Sequence, residues 1–322
     1  DLPYPAEFDM KIKDLKINTS AVLSLLLIGI EERTAKNNSK YLVLTLTDGS
    51  STIKANLWNA DRQNFSARES EVLEVQLETK GYNGAASYTV TAYAVTSESI
   101  DAYVPTAPIP AEKMYHDITK YAERLGPYSG ITCRLLAIHK EKLMTWAAAK
   151  QVHHNIRSGL LYHMYRMLQS AVKLAQVYTD IDKNLLFAGV ILHDIGKLQE
   201  MDCNEVGNAP YSVDGTLLSH LYIGCEMVAK YAEQSGLSKE QELLLKHMIA
   251  SHHGKLEYGA ISVPAIPEAA LLNHIDCIDA EMYQFEHARD GLEPGSLSDK
   301  IWGLGTSVYQ PKETGSENTE KI

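Results

Sequence analysis

A chain of 322 residues with 45% hydrophobic and 22% charged side chains carries enough apolar material for two domains, each with a core of its own. Its formal charge of −11 argues against a general polyanion-coating role. It does not exclude an enzyme acting on nucleic acid, because bound divalent cations and a local basic groove can set the field where the substrate sits. The opening residues DLPYPAEFDM lack the basic start and apolar core of a signal peptide, and the longest apolar run, residues 21–30, is too short to span a bilayer as a helix. A cytoplasmic location with no membrane partner is therefore expected. Cys133, Cys203, Cys225 and Cys277 form no CxxC pair, which argues against both a thiolate zinc site and a disulfide framework.

Taken in order, residues 1–14 read as an irregular lead-in. From 15 to 97 the texture is that of a sheet. AVLSLLLIGIEER, KYLVLTLTDG, STIKANLW, VLEVQLETKGY and SYTVTAYAVT are separated by the turn clusters AKNNSK, DGSS and NGAAS. Five short strands in under a hundred residues predict a small closed β-barrel of the OB-fold kind, a framework that binds oligonucleotides. Alternation sends Leu42, Leu44 and Leu46 to one face and Tyr41 to the other. It likewise turns Ile53, Ala55 and Leu57 inward and Lys54, Asn56 and Trp58 outward. An outward Trp beside Lys and Asn suits base stacking, with Tyr82 and Tyr88 flanking NGAAS as further candidates. The competing reading has Trp58 closing the barrel end or facing the next domain. Residues 1–104 carry 10 Lys and Arg against 14 Asp and Glu, which favours an accessory strand-guiding role over tight autonomous binding.

Pro105, Pro108 and Pro110 break both periodicities and predict an extended linker over 98–111. Residues 112–305 then read as a second, all-α domain. Ile156, Leu160, Leu161, Met164, Leu168, Ala171, Val172 and Ala175 share one helical face. DKNLLFAGVILHDIGKL predicts one helix capped by Asp182, and Ser238 with Gln241 has capping-box spacing. A further helix starts at Pro267 and stops at Gly291. Residues 306–322 are expected to be a disordered tail.

Within VILHDIGKLQE, His193 and Asp194 are neighbours and Lys197 lies four and three residues beyond them. Helical neighbours point about 100° apart, yet both side chains can reach a metal set against the helix, with Lys197 at the same end of that surface. An imidazole, a carboxylate and a cation suit a metal that activates water beside a phosphate. The dipeptide alone is weak evidence. His163, His220, His252, His253 and Asp276, spread over successive helices, make it a constellation.

The ordered series His163, His193, Asp194, Asp276 resembles the H…HD…D signature of the HD phosphohydrolase superfamily. The layout of KYLVLTLTDGSSTIKANLW, TAPIP, HHNIRSGLLYH, AGVILHDIGKLQE, SHHGKLEYG and IDCIDAEM is similar to that of the YhaM-type 3′-to-5′ exoribonucleases of Gram-positive bacteria. The resemblance implies an OB-fold followed by an all-α HD domain, and hydrolysis of single-stranded RNA, with single-stranded DNA and homo-oligomerisation left open. It implies that His163, His193, Asp194 and Asp276 hold one metal, and that Asp194 bridges to a second completed by His220, His252 and His253. Asp194 and Lys197 would be catalytic, Lys197 contacting the scissile phosphate. Asp279 would support the ligands on the same helix face, and His154 would be a phosphate or supporting contact. Two divalent transition ions are implied, manganese first, with iron and others open. No Gly-Tyr-Pro follows HDIGK, which disfavours the cyclic-di-nucleotide branch, and Gly159 stands where that branch carries a further acidic ligand. Two other readings remain at this stage: HD chemistry on a small or cyclic nucleotide, and a non-catalytic RNA-binding adaptor.

Overall fold

The computed structural model describes residues 10–82, 85–148, 156–203 and 209–312. The chain forms two compact units that meet in sequence between Thr106 and Ala107.

The first unit is a closed five-stranded barrel of β1 (Thr19–Thr34), β2 (Lys40–Thr47), β3 (Thr52–Trp58), β4 (Val72–Tyr82) and β5 (Ala85–Val95). The strand order is β1-β2-β3-β5-β4, and every pairing is antiparallel except β3 with β5. This is the Greek-key closure of an OB-fold. Period-2 alternation builds its core: Leu23, Leu25 and Leu27 of β1, Leu42, Leu44 and Leu46 of β2, and Leu73, Val75 and Leu77 of β4 all point inside. A register shift between Leu27 and Gly29 lets the long β1 bend around the barrel and pair with both β2 and β4. Part of the lead-in is ordered as well. A 3-10 turn at Ile12–Asp14 buries Ile12, whose N–H donates to the Asp48 carboxylate at 2.6 Å.

The predicted linker is only partly extended. Tyr103 and Val104 are buried with Leu26 and Val72 in a small cluster on the barrel, and Ala107 joins the helical core. The prolines mark the change of unit, while the apolar residues between them anchor the crossing segment on either side.

The second unit comprises α1 (Ala111–Ala122), α2 (Ser129–Ile138), α3 (Lys140–Leu143), α4 (Gly159–Val177), α5 (Lys183–Leu192), α6 (Lys197–Glu200), α7 (Val213–Ala232), α8 (Lys239–Ser251) and α9 (Pro267–Ala288). Helix α5 is apolar nearly all round, and Leu185, Leu186 and Ala188 through Leu192 are buried, so it forms the axis of the unit. Asp182 caps it by accepting the N–H groups of Asn184 and Leu185, and Ser238 with Gln241 forms the capping box of α8. Residues 306–309, assigned by their polarity to a disordered tail, instead form β7 (Thr306–Tyr309), paired antiparallel with β6 (Leu297–Ile301). The unit is thus helical with a C-terminal hairpin. Among the described residues no helix is long and apolar enough to cross a membrane.

Candidate metal centre

The HD pair does not lie within one continuous helix. Helix α5 ends at Leu192, His193 is its C-cap residue, Asp194–Gly196 form a turn and α6 starts at Lys197. Gly196 explains the break. A Cβ there would stand 2.0 Å from the carbonyl oxygen of His220, so only glycine lets this turn meet the backbone of α7. The expected single helix over 183–198 is corrected accordingly. The turn points Asp194 into the unit and not across a helical surface.

Four imidazoles face that carboxylate and a fifth, His253, adjoins them through His220, and each is oriented by its own Nδ1. His193 faces the carbonyl of Val190 at 2.8 Å, His252 that of Ile249 at 2.8 Å and His253 that of Tyr258 at 3.1 Å. His163 faces Asp279 Oδ2 at 2.7 Å and His220 faces Glu200 Oε1 at 2.9 Å. Carbonyl and carboxylate oxygens only accept, so in every case Nδ1 carries hydrogen and Nε2 is the atom turned to the centre.

The two oxygens of Asp194 face different histidines. Oδ2 lies 3.3 Å from His193 Nε2 and 3.8 Å from His163 Nε2. Oδ1 lies 3.5 Å from His220 Nε2 and 3.6 Å from His252 Nε2. Asp276 Oδ1 is 3.3 Å from His163 Nε2, and His253 Nε2 is 3.3 Å from His220 Nε2. His163, His193 and Asp276 form one group able to hold a metal, His220, His252 and His253 another, and His193, Asp194 and His252 join them.

The donor set passes a test of fit to divalent ions. Ligand atoms each about 2.1 Å from a shared ion stand roughly 3.0–3.4 Å apart at octahedral or tetrahedral angles. Most of these separations fall in or just above that range, where neutral nitrogens would otherwise bring their lone pairs together. Among the described residues the buried Asp194 Oδ1 has no hydrogen-bond partner, a costly arrangement for a carboxylate that awaits no cation. Mixed imidazole and carboxylate donors suit a transition ion better than magnesium.

The electrostatics agree. Burial opposes ionisation of Asp194, but the Lys197 ammonium and then His193 outweigh it and hold the carboxyl well below its usual range. Burial drives His252 and His253 down, leaving them neutral and able to coordinate. His163 differs: burial lowers it, yet hydrogen bonds with Asp276 and Asp279 prevail and raise it to about 9. Without metal it therefore holds a second proton, which an ion bound there would have to displace.

Asp279, expected to support the ligands, does face His163, and its other oxygen accepts from Arg166 Nε at 2.6 Å. Arg166 also pairs with Glu286 at 2.6 Å. Lys197 places Nζ 2.7 Å from Asp194 Oδ2. Helix α6 beneath it is pinned by Trp146 Nε1 to the Lys197 carbonyl at 3.1 Å and by Lys142 Nζ to that of Leu198 at 2.7 Å. Three supporting residues escape a reading of the sequence: Glu200, Arg166, and Asn273, whose Nδ2 donates to the His252 carbonyl at 2.7 Å. Glu200 sits inside HDIGKLQE, but its partner His220 is 20 residues away and no local pattern links them. His154 lies outside the described residues.

On the barrel, Tyr41 and Trp58 are direct cross-strand partners with ring centroids 4.6 Å apart, and Trp58 is 48% exposed. Asn56 and Tyr88 are half-buried, Tyr88 packing partly on the core. Lys54 is paired with Glu31 at 3.1 Å, so its charge is already compensated. The side chain of Tyr82 lies outside the described set.

The model of the HD domain family matches residues 160–281, the span holding every candidate ligand. Over 285 residues the chain is 35% identical to the 3′-5′ exoribonuclease YhaM of Bacillus subtilis, covering 86% of this chain and 90% of that protein. The YhaM of a Geobacillus species is 33% identical, covering 89% of this chain and 90% of its own length. That of Listeria monocytogenes is 31% identical over 313 residues, covering 94% and 99%. Among solved structures, the second OB-fold domain of replication protein A from Methanococcus maripaludis covers 29% of this chain and 98% of its own, at 22% identity and a TM-score of 0.23. The barrel assignment rests on strand order. With an OB-type barrel, an HD helical unit and relatives matched along nearly their whole length, the chain belongs to the YhaM 3′-5′ exoribonuclease family.

Proposed function

We propose that this protein removes nucleotides from the 3′ end of single-stranded RNA by hydrolysing phosphodiester bonds at a dinuclear metal centre, and that single-stranded DNA is a second substrate. The observation that carries the reading is the two-sided environment of Asp194, each of whose oxygens faces its own pair of imidazoles. His163, His193, Asp194 and Asp276 would hold one ion; Asp194, His220, His252 and His253 would hold the other. Manganese is the ion proposed. When bound, the ions would neutralise the phosphate, activate water and stabilise the leaving oxygen.

The chain's own groups do the rest. Asp279 and Glu200 fix the tautomer and direction of His163 and His220, so the donors are set before substrate arrives. Lys197, its side chain 12% exposed and its ammonium already at Asp194, is placed to contact a non-bridging oxygen of the scissile phosphate. Burial of His163, His193 and His252 keeps bulk water off one side of the centre. Asp276 and His253 are the more accessible donors, and substrate would approach past them. On the barrel, Trp58 packed at a tilt against Tyr41 offers a sequence-tolerant platform for a base, flanked by Lys54, Asn56 and Tyr88. Burial of apolar side chains on all the main helices, with no spanning helix among the described residues, suits a cytoplasmic enzyme.

The test is incubation of 5′-labelled and 3′-labelled single-stranded RNA with Mn²⁺, with Asp194→Ala alongside. The 5′ label should pass through a descending ladder while the 3′ label appears at once as mononucleotide. Internal fragments, or a variant as active as wild type, would contradict the proposal. Hydrolysis of small nucleotides with intact RNA left behind would favour the small-substrate reading.

A further inference from the structure

We propose that Glu200 is the positioning residue for His220, and that it acts by holding α7 in a broken form which turns the imidazole toward Asp194. The inference rests on the reading of His220 as a metal ligand.

Helix α7 is not continuous. Ser219, inside it, has φ 60° and ψ 159°, a left-handed conformation that a residue with a Cβ rarely adopts. Such backbone persists only where its surroundings over-determine it. Here the break immediately precedes His220. It also makes His220 the start of a new helical segment, and the first N–H groups of a helix have no partner within it. The N–H of His220 donates instead to Glu200 Oε1 at 2.9 Å, and its Nδ1–H donates to the same oxygen at 2.9 Å. One carboxylate oxygen thus caps the second half of α7 and aims the ring.

The carboxylate itself is fixed. Glu200 is buried, and its carbonyl accepts the N–H of Ser212 at 2.9 Å, while Ser212 Oγ donates to Gln199 at 2.7 Å. Backbones touch on both sides of the break. A Cβ on Gly215 would lie 2.0 Å from the Glu200 carbonyl oxygen, and one on Gly196 would lie 2.0 Å from that of His220. Helix α6 is therefore clamped against α7 before and after Ser219. Take away the Glu200 acceptor, and the buried His220 N–H regains a partner when Ser219 returns to right-handed backbone and the helix runs straight to the carbonyl of Thr216. That movement turns the His220 ring away from Asp194.

The experiment compares Glu200→Ala and Glu200→Gln with wild type in two readouts: the crystal structure of the metal-free protein, and Mn²⁺ binding by calorimetry. In E200A, Ser219 should be right-handed and His220 Nε2 out of reach of Asp194 Oδ1, from which it stands 3.5 Å in wild type. One of the two Mn²⁺ equivalents should weaken by about 10–100-fold and the other should hold. In E200Q the amide oxygen can accept both bonds, so Ser219 should stay left-handed and the loss should be under about tenfold. E200A with an unchanged break and both ions bound as in wild type overturns the proposal. So does E200Q impaired as far as E200A, which would make charge and not position the cause. If E200A does not fold, E200Q decides alone: a loss well above about tenfold, or a right-handed Ser219, overturns the proposal. Should wild type bind only one Mn²⁺, the dinuclear reading fails, while the positions of Ser219 and His220 still test the role of Glu200.

Discussion

Lys197 Nζ lies 2.7 Å from Asp194 Oδ2, the same oxygen that faces His163 and His193. On the proposed mechanism the lysine would compete with a cation for that oxygen, and it would become available to a phosphate once the carboxylate is engaged elsewhere. Burial opposes its charge, but Asp194 raises its pKa, so it is an ammonium throughout the neutral range.

Lys197→Met should separate the two roles. Mn²⁺ affinity should stay level or rise, because a competing cation is gone, while turnover of RNA should fall by about 10²–10³ through loss of charge stabilisation on the phosphate. Calorimetry and single-turnover cleavage check the pair. Parallel losses in both would mean that Lys197 only supports the fold of α6.

The pH dependence of metal binding should follow His163. Its metal-free pKa is raised to about 9, so below that pH an incoming ion displaces a proton, and affinity should fall by up to about tenfold per unit as pH drops toward neutrality. Stability of the metal-free protein should run the other way. A raised folded-state pKa contributes stability that is fully present below the unfolded value near 6.5 and is lost as pH rises through about 9. Calorimetry in buffers of different ionisation heat, beside thermal melts of chelated protein, reads both. Asp279→Asn should flatten each dependence, since it removes one of the carboxylates that raise His163.

The barrel rim should matter to polymer and not to chemistry. Trp58→Ala should weaken binding of long single strands by roughly 1–3 kcal/mol and leave hydrolysis of a dinucleotide unchanged. Because Trp58 is 48% exposed, the melting temperature should move little. Filter binding and dinucleotide turnover decide it; equal loss on both substrates would remove the barrel from strand guidance.

The turn at Gly196 should tolerate no side chain. A Cβ 2.0 Å from the His220 carbonyl oxygen meets backbone that cannot yield, so Gly196→Ala should cost about 2–4 kcal/mol or prevent folding. Urea unfolding measures this. A variant as stable as wild type would show that α6 and α7 are not in backbone contact.

The parts of this arrangement that sequence exposes are those with a period or a spacing. Leu42, Leu44 and Leu46 announce a strand because one face is buried and period 2 is enforced, and the apolar run of α5 announces a central helix. The candidate ligand histidines stand out because so many fall in the helical half, on successive helices or at their ends. What stayed hidden depends on contacts between distant residues. The helix break after Leu192 comes from the close approach of α7, which HDIGK does not reveal. Glu200 looks like any surface glutamate until His220 is beside it. Alternation puts Lys54 on the outer face, but nothing local reveals that Glu31, on the far side of β2, pairs with it. The hairpin of β6 and β7 is not legible in the sequence because short polar strands carry little hydrophobic pattern.

The most direct measurement is the count of manganese ions by native mass spectrometry across wild type, His253→Ala, Asp276→Ala and Asp194→Ala. If Asp194 joins two metal positions, the numbers should be two, one, one and none, with RNA cleavage lost by about 10³ or more in Asp194→Ala. An Asp194→Ala protein that keeps one tightly bound ion, as the single-position variants do, would contradict the shared carboxylate on which the account turns.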